Sequence, residues 1–381
     1  MGKHLVLVGG GHAHLTCLMQ LKHFVDRGHR VTLISPDAYH YYSGMGPGML
    51  GGTYSPQEIR FNIKRMAESA GGEFVSGAVT RIDAPRRRLH LASGQEIGFD
   101  VVSLNTGSSI PLNSVTITDR ENIFPVKPII NLLQARKAIL KRVRGEKLRI
   151  LVVGGGPAGL ELAGNTWKLI HDQSGEAQIT LLAGKRLMGN FPDKVRRLAL
   201  KSFQARKLEV IEGAHLSALE RGYAGLDDGR EIPFEVTLLA LGVKPAPLFS
   251  DSGLPTGADG GMLVNEYLHA FDHPNIFGGG DCISFQARPL DKVGVYAVRQ
   301  NPVLFHNLLA SLEGQNLISF HPQDDYLLIF NLGDGRGIFR RKNWVWHGRL
   351  AFILKNYIDR KFMRKFQISG ELQEHDMGSE D

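Results

Sequence analysis

An apolar strand that runs straight into a run of glycines and out into a helical pattern leaves a chain few folds to choose from. This chain does it twice. Residues His4 to His14 read HLVLVGGGHAH: Leu5 to Val8 form the strand, Gly9-Gly10-Gly11 the turn, and Leu15, Leu18, Met19 and Leu21 the apolar side of a helix. The second copy is Ile150-Leu151-Val152-Val153, then Gly154-Gly155-Gly156-Pro157-Ala158-Gly159 and Glu161, a full G-x-G-x-x-G in the right setting. Such a turn uses glycine because the backbone must bend sharply and let a pyrophosphate come close. The helix end beyond it offers unpaired N–H groups and a positive dipole to the phosphates.

The echo extends past the turns. Gly94-Gln95-Glu96-Ile97-Gly98-Phe99-Asp100-Val101 is matched by Gly229-Arg230-Glu231-Ile232-Pro233-Phe234-Glu235-Val236, and each runs through an apolar strand to a glycine, Gly107 in LNTG and Gly242 in LALG. The pattern predicts an α/β chain with two Rossmann-like dinucleotide-binding domains (three-layer β/β/α) and a small C-terminal α+β unit. The expected segments are residues 1–112, 113–244, a return to the first domain over 245–318, and 319–381 as a C-terminal interface or membrane-association unit.

Between these landmarks several stretches carry chemistry. Ser35 and Pro36 end the second strand, where such folds keep a carboxylate for the ribose; Ser35 can hydrogen-bond a ribose, and Asp37 is otherwise a turn residue. His14 occupies the place of a third glycine. The segment YHYYSGMGPGMLGG, Tyr39 to Gly52, is either a glycine-rich surface turn or a loop against a flat isoalloxazine ring, contributed by Tyr42, Ser43, Met45 and Pro47. Asn113 to Asn122 reads as a linker and 131–144 as a basic helix with a solvated charged face. The second strand of the second unit ends in Ala183-Gly184-Lys185-Arg186, two cations where a carboxylate would select NADH. They suit a 2′-phosphate, hence NADPH, or are ordinary loop charges. Asp281 in GGGDC can accept hydrogen bonds from ribityl hydroxyls or act as a helix N-cap. Val293 to Gln300 reads as the start of a helix beneath a flavin.

Composition narrows the class. Of 381 residues 43% are hydrophobic, enough for real cores. Two cysteines, Cys17 and Cys282, exclude a disulfide scaffold and a cysteine-rich metal site, so no metal is expected. They lie in no C-x-x-C pattern, which argues against a dithiol centre. A strand beginning at residue 3 leaves no room for a signal peptide, and no apolar run is long enough to span a bilayer, so a cytoplasmic protein is expected. Residues 340–365 hold nine Lys/Arg against one Asp, which accounts for the net charge of +7 and leaves the rest near neutral, with no nucleic-acid-binding surface. Leu350, Ile353, Leu354, Tyr357, Ile358, Phe362 and Phe366 recur among those cations behind Trp344 and Trp346. Such a helix over 343–366 suits an anionic membrane surface, the inner face of the cell membrane. It equally suits docking on the protein's own body or on the twin subunit of a homodimer. The last eleven residues read as a frayed acidic tail.

GGGHAH, SGMGPG, the Thr106-Gly107 pair, GGGPAGLE, GGGDC and KVGVYAVRQ together resemble the FAD-dependent pyridine nucleotide-disulfide oxidoreductase superfamily across nearly the whole chain. The likeness is strongest to the branch of type II NADH:quinone and sulfide:quinone oxidoreductases, and within it to the flavoprotein domain associated with selenophosphate synthetase. The resemblance implies FAD held by Gly9, Gly11, His12, Ala13, Thr106, Gly107, Gly280 and Asp281, with Lys127, Val293 and Tyr296 near the isoalloxazine. It places NADH or NADPH at Gly154, Gly156, Ala158, Gly159 and Glu161, and makes Glu161, Lys127 and Gln300 the candidate catalytic residues. The helix Ala297-Val298-Arg299-Gln300 would face a quinone or another small acceptor, with Arg299 in place of the usual glutamine. The alternatives are a reductase of a selenium or sulfur compound linked to selenophosphate synthesis, and a non-catalytic flavin-binding redox sensor.

Overall fold

Both strand–turn–helix units form as their glycines demand, and two largely parallel sheets grow around them, the larger with antiparallel pairs at His269–Ala270. The computed structural model describes residues 2–113, 115–143, 145 and 147–374. Among the described residues, eight strands make one sheet in the order Ile283–Phe285, Met262–Val264, His269–Ala270, His273–Gly278, Val101–Leu104, His4–Val8, Arg30–Ser35, Glu73–Ser76. A second sheet of five runs Ile123–Pro125, Val236–Leu239, Leu148–Val153, Ala177–Leu182, Glu209–Ile211. The last four strands of each list correspond. Strands His4–Val8 and Leu148–Val153 are buried on both faces, as parallel strands covered on each side must be.

The copies agree in detail. Each sheet carries an antiparallel meander, Val79–Asp83/Arg88–Leu91/Glu96–Gly98 in one and Leu216–Glu220/Tyr223–Leu226/Glu231–Pro233 in the other. Thr32 faces Glu73 across neighbouring strands and Thr180 faces Glu209, and each threonine hydroxyl donates to the glutamate, at 3.3 and 3.0 Å.

Three expectations need correcting. The stretch 113–122 is not only a linker: Thr116–Ile117 pairs in parallel with Leu216–Glu220 and extends the second meander. The basic helix is Ile130–Arg142, and its charges are not all solvated, since Arg136 reaches across to the Leu50 carbonyl at 3.0 Å. The acidic tail is anchored where it is described. Glu371 is buried and accepts from the Asn62 N–H, while Glu374 accepts from Arg60 and the Asn62 amide; residues 375–381 lie outside the described residues.

The C-terminal unit is a three-stranded antiparallel sheet, Leu328–Asn331, Gly337–Arg341 and Trp344–Gly348, with the helix Arg349–Phe366 against it. It is joined to the second nucleotide unit through the helix Pro157–Asp172, where Gly164 packs directly on the Leu332 carbonyl. A side chain at 164 would collide with that backbone. Gly164→Val should therefore cost about 1–3 kcal/mol through overpacking, read as a lower urea midpoint with unchanged slope. An unaltered midpoint would mean that the contact bears no weight.

Candidate functional site

The first turn is built from three glycine-bearing segments tied by one amide. Gly9, at φ +84°, donates its N–H to the Ile34 carbonyl at 2.8 Å, and a Cβ there would run into the Asn105 carbonyl. Asn105, buried at the end of Val101–Leu104, accepts from the Ala13 N–H at 3.2 Å and donates to the Gly279 carbonyl at 2.6 Å. Sequence reasoning passed over it, although it immediately precedes the Thr106-Gly107 pair. His14 explains its own departure from glycine: its ring bridges the Gly9 carbonyl (2.6 Å) and the Ser103 hydroxyl (2.8 Å), a strut between turn and sheet. Burial, only partly offset by the Gly9 bond, lowers its pKa to about 4.

Beside this turn stand Lys127 and Asp281. The Lys127 ammonium donates to Asp281 at 2.6 Å and to Ser108 at 2.7 Å, and Ser108 donates to Asp281 at 2.7 Å. Burial pushes the Asp281 carboxyl up, but the charge of Lys127 and these hydrogen bonds outweigh it and leave it below the usual value. Asp281 caps no helix; it sits in one 3-10 turn, Gly280–Cys282. Gln300 is brought to the same place in a supporting capacity. It is buried, and its side-chain oxygen accepts from the Gly280 N–H at 2.7 Å, so it braces the turn. Tyr296, also buried, donates to the Gln323 carbonyl at 3.3 Å, and Val293 precedes the first turn of its helix, Gly294–Glu313. Ser35 is buried at the end of Arg30–Ser35, with Pro36 following.

The segment from Tyr39 is no surface turn. It folds into a short strand and two helical turns, Ser43–Met45 and Gly46–Leu50, with Met45, Pro47, Met49 and Leu50 buried. Here the two nucleotide units and the C-terminal helix meet in a cluster of charges. Lys355 donates to the Gly44 carbonyl (2.9 Å) and to Asp359 (2.8 Å), and Tyr42 donates to Asp359 at 3.1 Å. Glu161, named with the second nucleotide turn, joins this junction, its carboxylate accepting from the Asn331 N–H at 2.7 Å. Burial raises its pKa to about 7 against the pull of Lys355 and the Asn331 bond. Burial works against the Lys355 charge too, but Asp359 and Glu161 more than compensate and hold it above its ordinary range. Lys355 and Asp359 escaped notice as two charges on a basic helix; their i,i+4 spacing on the face of Ala351 and Met363 was the available signal.

The second turn repeats the first in backbone. Gly154 donates to the Leu182 carbonyl at 2.8 Å, and Ala240 stands where Asn105 stands in the first copy. Helix Pro157–Asp172 starts at Gly156 with proline at its first turn, followed by Ala158 and Gly159. Arg186 pairs with Asp193 at 2.7 Å, half-exposed, and Lys185 is exposed. Cys17 and Cys282 are free, buried thiols, and burial pushes the Cys17 pKa up to about 12 and that of Cys282 in the same direction. Neither is a thiolate at neutral pH.

The residues at the first turn fit a dinucleotide. Gly107, at φ +70°, opens on free space, Asp281 and Lys127 offer an acceptor and a donor, and the buried Nε2 of His12 has no partner among the described residues. At the second turn the open side of Gly156 faces free space in the same way. Comparison with known proteins agrees. The model of the pyridine nucleotide-disulphide oxidoreductase family matches residues 3–306. The chain is 24% identical over 388 residues to ferroptosis suppressor protein 1 of Taeniopygia guttata, covering 96% of both chains. It is likewise 24% identical over 393 residues to the type II NADH:quinone oxidoreductase of Staphylococcus epidermidis, covering 95% of this chain and 96% of that one. Its fold superposes on NDH2 of Plasmodium falciparum with a TM-score of 0.82 at 14% identity, over 97% of this chain and 98% of the other. The chain belongs to the pyridine nucleotide-disulphide oxidoreductase family and is a flavin-dependent oxidoreductase of NAD(P)H.

Proposed function

We propose that the chain takes hydride from NAD(P)H bound at the second turn and passes the electrons to a quinone-like acceptor at a membrane surface. FAD at the first turn would be held by Gly9, Gly11, His12, Ala13, Thr106, Gly107, Gly280 and Asp281, and when bound supplies the hydride-accepting ring. Lys127 and Asp281 hold a fixed donor and acceptor beside it; Glu161 holds an exchangeable proton where the two units meet. Gly154, Gly156, Ala158 and Gly159 would seat the nucleotide.

The observation that carries the acceptor is the two-faced C-terminal helix. One face buries Ala351, Asp359, Met363 and Phe366 and lends Lys355 to the site. The other leaves Leu350 71%, Ile353 58% and Tyr357 57% exposed, next to Trp344 at 76%. Docking on the protein's own body thus accounts for half the helix, and an apolar face ringed by Arg349, Lys361 and Arg364 remains for anionic lipid. No helix among the described residues is long and apolar enough to cross a membrane. A selenium or sulfur acceptor rests on the GGGHAH and SGMGPG likeness alone, whereas this helix gives a quinone reading its own support.

Three outcomes test the reading. Anaerobic NADH or NADPH should bleach the bound flavin; Lys185→Glu with Arg186→Glu should weaken NADPH relative to NADH about tenfold, roughly 1.4 kcal/mol, and equal losses for both would reject the 2′-phosphate role. Leu350→Asp with Ile353→Asp should abolish co-sedimentation with phosphatidylglycerol-containing vesicles while bleaching persists, and undiminished sedimentation would remove the membrane. Glu161 has a folded pKa of about 7 against an ordinary 4.5. The stability its neutral form contributes is full below about 4.5 and lost as pH rises through 7. Glu161→Gln should flatten the stability–pH curve across that window in urea titrations, and a curve that still falls there would assign the pH dependence elsewhere.

A further inference from the structure

The cofactor site has an unusual neighbour that neither the nucleotide turns nor the charge cluster accounts for: two imidazoles in contact. His12 follows Gly11 on the first turn, and His40 lies on the strand Tyr39–Tyr41. His40 Nε2 and His12 Nδ1 are 3.2 Å apart, with the rings edge to face at 4.8 Å. His12 is further enclosed by Tyr42 at 5.2 Å and by Phe362 of the C-terminal helix, stacked at 6.0 Å, while Phe61 stacks on His40 at 6.3 Å. His12 is buried and His40 retains some exposure. The other ring nitrogen of His12, Nε2, is buried without a partner. A buried polar atom left unpaired costs about 1–3 kcal/mol, so this nitrogen has a hydrogen bond to give to a group bound at the turn.

We propose that His12 and His40 form a proton relay, with His12 Nε2 as its inner end at the first turn, where FAD would be held, and the less buried His40 as its outer end. This rests on the oxidoreductase reading above. Reducing a quinone with NAD(P)H takes two electrons and two protons: the hydride brings both electrons and one hydrogen, and solvent must supply the remaining proton. The relay moves it inward. One proton arrives at the outer nitrogen of His40, the Nε2 proton of His40 passes to Nδ1 of His12, and the Nε2 proton of His12 leaves for the site. Between turnovers each ring returns to its starting tautomer by giving up its Nδ1 proton and taking one at Nε2, an exchange with solvent that moves no net proton. The groups facing the pair are Asp281 and Lys127 beside His12, Lys127 near His40, and the Tyr42 ring, whose hydroxyl donates to Asp359. Burial first, with Lys127 adding to it and Asp281 opposing at His12, keeps both rings neutral at pH 7, able to give and take a proton.

The test uses the full chain. Binding of FAD to stripped protein is read by quenching of FAD fluorescence, with the visible spectrum of the bound flavin recorded. Reoxidation of the NAD(P)H-reduced protein by a soluble benzoquinone is then followed by flavin absorbance across pH and in D2O. His12→Gln should shift the flavin spectrum and weaken FAD about tenfold. His40→Gln should take up FAD and bleach normally, yet reoxidise about tenfold slower, with an altered pH profile and recovery on adding imidazole. An unshifted spectrum and unchanged FAD affinity in His12→Gln, or wild-type reoxidation and pH profile in His40→Gln, would overturn the relay. Wild-type protein that takes up no FAD would overturn the reading beneath it, a result distinct from either.

Discussion

Backbone pressed against backbone at the two glycine turns sets the spacing of everything else. In each copy the turn donates an N–H to a carbonyl in the last two residues of the second strand, Ile34 or Leu182, and passes so near the next strand's exit, Asn105 or Ala240, that a Cβ would collide. The helix N-terminus is thereby held against the C-terminal edge of the sheet, where its free N–H groups serve phosphates. The copies then diverge. At the first turn Asn105 and Gln300 add side-chain hydrogen bonds to Ala13, Gly279 and Gly280, and His14 adds two more. At the second turn Ala240 replaces Asn105 and has no amide to contribute. A turn stitched on every side suits a resident cofactor; one held by backbone alone suits a nucleotide that must come and go.

The junction of the parts depends on burying charge without leaving any of it alone. Lys355 has Asp359 and the Gly44 carbonyl, Asp359 has Tyr42 as well, and Glu161 has the Asn331 N–H. Removing one member of such a set costs about 3–5 kcal/mol, because the partner is stranded out of water. The cluster therefore fixes the C-terminal helix to both nucleotide units at one register. Its opposite face is then presented outward by the same constraint, and the polar junction and the exposed apolar stripe are two consequences of one placement.

What was legible in the sequence was whatever backbone geometry imposes. The duplicated turns, the paired meanders, the Gly333–Gly337 turn and the helix from Val293 all announce themselves through glycine or period. What was not legible was polar pairing across long separations. Nothing near Gln300 in the chain shows that Gly280 donates to it. Glu161 carries no sign of Asn331, 170 positions away, which donates to it. Glu371 and Glu374 look like solvated tail charges because nothing local shows that Asn62 and Arg60 wait for them. In each case the residue type was noticed and its partner was not, since a hydrogen bond formed through space leaves no period in the chain.

The thiols bear on where electrons can leave. A flavin that has accepted hydride can discharge through a neighbouring dithiol only if a thiolate is available to it. Here the Cys282 Sγ–H is occupied with the Leu104 and Gly279 carbonyls at 3.4 and 3.3 Å, inside the same ladder that holds the third glycine segment. Cys17 is wholly buried on its own short helix, Leu15–Met19. With both raised by burial and committed to packing, no protein sulfur relays electrons outward, and the acceptor itself must reach the ring.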